Sequence, residues 1–69
     1  MQLRDLRLAK PMTLRELAAE SGVSLATITN IEAGRHLPTP KTTRKLAQVL
    51  GVAAMEIDEA RAWRDRFIK

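Results

Sequence analysis

Residues 13–32 read TLRELAAESGVSLATITNIE. Their punctuation predicts two short helices joined by a four-residue turn. Thr13 suits a helix N-cap, and Glu16, three residues on, completes a capping box in which each side chain satisfies the other residue's free amide. Met12, just ahead of the cap, is placed to staple onto Leu17. The helix so begun spans about Leu14 to Ser21. Ser24 opens the next, about Leu25 to Ala33, with Val23 placed to staple onto Ile28. A turn of this length containing a glycine, here Gly22, sets two helices near a right angle. Ala18 is small where the two must cross, and Leu17, Val23, Ile28 and Ile31 supply apolar contact.

Outward from this unit, the same signals repeat. Gly22, Gly34 and Gly51 each follow a segment of helical spacing, the usual place for a left-handed residue. A first helix is predicted at about Gln2 to Ala9, closed by Pro11. A fourth runs from about Pro40 to Leu50, with Thr39 as cap, Pro40 at its first position and a Leu46, Val49, Leu50 stripe. A fifth runs from about Ala54 to Phe67, with Ile57, Ala60, Trp63 and Phe67 recurring at three- and four-residue steps. No segment alternates as a strand would. The expectation is an all-α single domain over residues 1–69, five helices around one core.

The 69 residues are 45% hydrophobic, which suits a small folded unit with no room for a deep substrate cavity. There is no cysteine, so neither disulfides nor thiolate metal sites arise, and a reducing cytoplasm fits. No apolar run approaches a membrane span. The N-terminus alternates charge with leucine and does not read as a signal peptide. The net charge of +4 is localised: no acid lies between Glu32 and Glu56, a segment holding Arg35, Lys41, Arg44, Lys45 and the lone His36. The rest of the chain balances. Such a block attracts phosphate polymers or is simply a solvated face.

The chain resembles the phage-repressor-like (Cro/Xre) helix-turn-helix family. The resemblance is carried by Leu3-Arg4-Asp5-Leu6-Arg7, residues Met12 to Ala18, Ser21-Gly22-Val23-Ser24, Ile28, Ile31-Glu32-Ala33-Gly34-Arg35, Pro38, and Leu46 to Val52. It implies a compact lambda-repressor-like fold with the helix-turn-helix in helices 2 and 3. It also implies binding to double-stranded DNA, usually as a homodimer on a near-palindromic operator. Arg7 and Glu32 occupy the positions of the family's structural ion pair. The third helix then faces the bases with Ser24, Leu25, Ala26, Thr27, Thr29 and Asn30. An asparagine can pair with adenine N6 and N7, and Leu25, Ala26 and the Thr27 methyl suit thymine methyls. An A·T-leaning half-site and selection by DNA shape both remain open on this face. Phosphate contacts are implied at Thr13, Arg15, Arg35, His36, Lys41 and Thr42, beside helix N-termini that favour anions. Leu14 departs from the family's frequent glutamine and cannot donate from its side chain. Ile57, Ala60, Trp63 and Phe67 are expected to form the two-fold interface, the alternative being that Trp63 and Phe67 cover the domain's own core.

The leading function is therefore a transcriptional regulator, most simply a repressor. An antitoxin binding its own promoter and a toxin fits the same features, and so does an interaction module that no longer binds DNA. Enzyme chemistry is not expected: one histidine, no cysteine and no convergent carboxylate pair offer little for acid–base or metal catalysis, and no cofactor is implied.

Overall fold

Three hydroxyl side chains set three helix starts. In the computed structural model, which describes residues 1–68, Thr13, Ser24 and Thr39 stand in extended backbone and accept the amide hydrogens of Glu16, Thr27 and Thr42. The helices are α1 (Leu3–Ala9), α2 (Leu14–Ser21), α3 (Leu25–Glu32), α4 (Pro40–Leu50) and α5 (Asp58–Phe67), with a short 3-10 turn at Ala54–Glu56. No strand occurs among the described residues. The capping box is complete, since the Glu16 carboxylate also accepts the Thr13 N–H at 2.9 Å. Gly22 closes α2 at φ 76°, and open space surrounds the position a Cβ would take there. Glycine is needed at that turn for its backbone angle, not for room.

One element differs from the sequence expectation. The single helix predicted over Ala54 to Phe67 is broken at Ile57, whose backbone is extended (φ −83°, ψ 114°). The break seats Ile57 in the core, fully buried. It is held by contacts from the far end of the chain. The Asp58 N–H donates to the Met1 carbonyl at 2.9 Å. The Met1 ammonium donates to the Glu56 carbonyl and to Asp58 Oδ1, both at 2.9 Å. The Leu3 N–H, without an intrahelical partner at the start of α1, is taken by Glu59 Oε1 of α5 at 2.9 Å.

Leu3, Leu17, Ile28, Ile31, Leu46 and Ile57 form the centre of the core, joined by Val23, Ala47, Leu50 and Ala60. The α2 helix packs on both α3 and α4, and α1 on α3. An isolated helix of eight residues is marginal in water. Burial of Ile28 and Ile31, each contributing about 1.5–3 kcal/mol, is what keeps α3 formed and oriented. Leu14 is half-buried and packs on this core with Met12 and Ala18, so its side chain serves packing. Leu8 stands exposed on α1.

Arg7 and Glu32 form an ion pair that is about nine-tenths buried on both sides. Arg7 Nε donates to Glu32 Oε2 at 2.8 Å, Nη2 to Oε1 at 2.9 Å, and Nη1 to the Met12 carbonyl at 2.8 Å. The hydrogen bond to Glu32 raises the Arg7 pKa above its ordinary value. Breaking such a pair strands the remaining charge, whereas replacing both partners often costs little. Arg7→Met is therefore expected to lose about 3–5 kcal/mol in urea denaturation. The Arg7→Met/Glu32→Leu double variant should recover most of that loss. Equal stability of wild type and Arg7→Met would refute the role of the pair.

Two exposed carboxylates tie acid stability to the caps. The Glu16 pKa is lowered by hydrogen bonds from the Thr13 backbone and hydroxyl. That of Asp58 is lowered mainly by the hydrogen bond from the N-terminal ammonium. A depressed folded-state pKa gives stabilisation that is complete above the unfolded carboxylate value, about 4. It is lost as pH falls through the folded value. Glu16→Gln should therefore flatten the decline of stability below about pH 4, as read by thermal unfolding across that range.

Candidate nucleic-acid interface

Because Ile28 and Ile31 are buried, the opposite side of α3 faces solvent. Ser24, Leu25, Ala26 and Thr29 are exposed, and Thr27 and Asn30 are half-buried. Ser24 and Thr27 are partly occupied with each other: the Ser24 hydroxyl accepts the Thr27 N–H at 3.1 Å, and the two hydroxyls share a 2.7 Å hydrogen bond. The exposed face of α3 is accordingly short and apolar at Leu25 and Ala26, with a hydroxyl at Thr29 and an amide at Asn30.

Asn30 is tied to the loop that follows it. Its Oδ1 accepts from Arg35 Nη1 at 3.3 Å, and its backbone carbonyl accepts the Arg35 and His36 amides at 2.9 and 3.4 Å. A bidentate pairing with adenine needs the side-chain oxygen as well as the nitrogen. With one lone pair of the oxygen engaged by Arg35, the second is left for adenine N6 and Nδ2 is left to donate to N7. This coupling joins residues five apart across the end of a helix, and no spacing rule in the sequence announces it.

The expected phosphate contacts lie on three separate segments. Thr13 and Arg15 lie at the start of α2, Arg35 and His36 in the loop after α3, Lys41 and Thr42 at the start of α4. All are exposed except the half-buried Thr42. The Thr13 hydroxyl accepts the Glu16 N–H at 3.0 Å and gives its own proton to the Glu16 carboxylate. Thr42 Oγ1 accepts from Thr39 at 3.3 Å. Among the described residues, Arg15, Arg35, Lys41, Arg44 and Lys45 have no carboxylate partner. The first turns of α3 and α4 carry no acid, leaving their positive dipole ends unopposed.

The residues expected at a two-fold interface separate. Ile57 and Ala60 are buried in the chain's own core at 0% and 3% exposure, so they offer no surface to a partner. They fill the core because the break before α5 turns them inward. Trp63 is half-buried and Phe67 exposed. On one flank of α5 lies a groove of about 310 Å³, chiefly apolar, to which Pro38, Pro40, Met55, Trp63 and Ile68 contribute. Met55 and Ile68, absent from the sequence expectation, are among the exposed large hydrophobic residues. On the other flank Arg66 faces the loop after α3 across a second notch. No helix among the described residues is long and apolar enough to cross a membrane.

Comparison with known proteins bears on these surfaces. The family model described as helix-turn-helix matches residues 3–57. The chain is 54% identical over 52 residues to an uncharacterized HTH-type transcriptional regulator, RghRB, of Bacillus subtilis, covering 74% of this chain and 37% of that protein. It is 48% identical over 52 residues to the HTH-type transcriptional repressor RghR of the same organism, covering 74% and 38%. It is 42% identical over 52 residues to the uncharacterized HTH-type transcriptional regulator y4dJ of Sinorhizobium fredii, covering 75% and 68%. The match thus spans little more than a third of the two Bacillus proteins. No solved structure matches the chain significantly.

Proposed function

The chain belongs to the phage-repressor-like (Cro/Xre) helix-turn-helix family, and on that premise we propose that it binds double-stranded DNA sequence-specifically, with α3 in the major groove, as the DNA-binding part of a transcriptional repressor. One observation carries the reading: α3 is anchored by two fully enclosed isoleucines while Leu25, Ala26 and Thr29 stand clear of the body. A face of short uncharged side chains lets the helix approach base edges closely. The cations that grip the backbone sit beside it, at Arg15, Arg35 and Lys41, and not on it. The names of the Bacillus and Sinorhizobium relatives, transcriptional regulators and in one case a repressor, support the same reading.

The active form in this reading is a homodimer, with paired α3 helices entering major grooves about 34 Å apart. The surface for the second copy is the apolar groove beside α5, with Met55, Trp63 and Ile68. A domain this small gains stability by covering such residues. Nothing among the described residues favours a toxin as a further partner.

Selection from random duplex DNA should yield a preferred site. On that site Asn30→Ala should cost about 1–3 kcal/mol and relax preference at a single base position. Unchanged binding and unchanged preference would refute the assignment of α3. For the dimer, Ile68→Asp should lower the sedimentation-equilibrium mass of wild type toward that of one chain. A wild-type protein that is monomeric both free and on its selected site would refute the second copy.

A further inference from the structure

The three arginines of α5 are not equivalent. Arg61 pairs with Asp58, and Arg64 lies 3.0 Å from the Asp65 carboxylate. Among the described residues Arg66 has no carboxylate partner. Its guanidinium instead lies 5.5 Å from the centroid of the Phe67 ring, and that ring packs on Trp63 with centroids 5.2 Å apart.

Arg66, Phe67 and Trp63 form one wall of a notch of about 330 Å³, and Arg35, His36 and Leu37 form the other. No acidic residue lines it. Arg35 is also the residue that holds the Asn30 side-chain oxygen, so the notch opens at the edge of the readout face. Cations that face one another across open space repel, and an anion between them reverses the sign of the interaction. The aromatic pair gives Arg66 a seat without neutralising it, since a cation over a ring face keeps its full charge. A protein partner would meet two unpaired arginines here and would have to supply carboxylates to both. A phosphodiester strand supplies a charge at every residue and apolar sugar faces between.

We propose that this notch takes the sugar-phosphate backbone of duplex DNA flanking the half-site, with Arg66 and Arg35 gripping phosphate from opposite walls. The inference rests on the reading of α3 as the DNA-reading helix, and it lengthens the contacted segment beyond what α2, α3 and α4 reach. One flank of α5 then serves the nucleic acid and the other is left to protein contact.

The test is a titration of wild type, Arg66→Gln, Arg66→Lys and Arg61→Gln against the selected site, at several salt concentrations. Each is run on a duplex with flanking base pairs and on one trimmed to the site. On the longer duplex Arg66→Gln should bind several-fold more weakly at low salt, with the slope of log K against log salt reduced by about one. Arg66→Lys should keep the wild-type slope. Arg61→Gln, which removes an already paired charge, should behave as wild type. On the trimmed duplex all four proteins should have the same slope. A wild-type slope for Arg66→Gln on both duplexes overturns the proposal. So does a change in its sedimentation mass with DNA binding intact, which would assign the notch to a protein partner. Loss of salt-dependent binding by wild type itself overturns the parent reading as well, and the two failures are told apart by that wild-type curve.

Discussion

The position of α3 is fixed by one buried guanidinium. Arg7 reaches from α1 to the carboxylate of Glu32 at the end of α3 and, with its remaining nitrogen, to the Met12 carbonyl just before α2. Three segments that are distant in sequence are therefore held by a single planar group with fixed donor directions. Apolar packing brings α1, α2 and α3 together, but it is non-directional and tolerates small slides. The forked hydrogen bonds do not, because a displaced donor leaves a buried charge uncompensated. Any rotation of α3 that re-aimed its outer side chains would have to break this set.

The sequence carries most of this architecture because most of it is local. Thr13 with Glu16, Ser24, Thr39 with Pro40, and Gly22 and Gly51 are signals that act within three or four residues. The bounds of α2 and α4 follow from them alone. What was hidden depends on residues far apart. The break at Ile57 is made good by Met1 and Leu3, more than fifty residues away. A periodic run of apolar residues at Ile57, Ala60 and Trp63 reads as one stripe on one helix, when in fact the first two are core and the third is at its margin. Exposure along α3 was legible for the same local reason that its start was: Ile28 and Ile31 name the buried side, and Leu25, Ala26 and Thr29 fall on the other. The engagement of Asn30 by Arg35 was not, since it arises from how the chain leaves the helix.

Charge is arranged on the same principle of separation. Six of the eight acids sit where helices need caps or cations need partners: Glu16 on Thr13, Glu32 on Arg7, Glu56 on Ala53, Asp58 on Arg61, Glu59 on Leu3, Asp65 on Arg64. Each is thereby consumed inside the molecule. The cations at Arg15, Arg35, Lys41 and Arg66 are left outside these pairings, and they lie at helix starts or in and opposite the loop after α3.

The small side chains on the outer face of α3 have an entropic consequence. Long residues that read DNA, such as arginine or glutamine, must freeze several torsions when they engage a base, at a cost of up to about 2 kcal/mol for the most flexible. Ala26 has no torsion to freeze, Thr29 has one that is already restricted by branching, and Asn30 is held in place before any contact is made. A surface built this way is pre-ordered, with little conformational freedom left to surrender to any ligand.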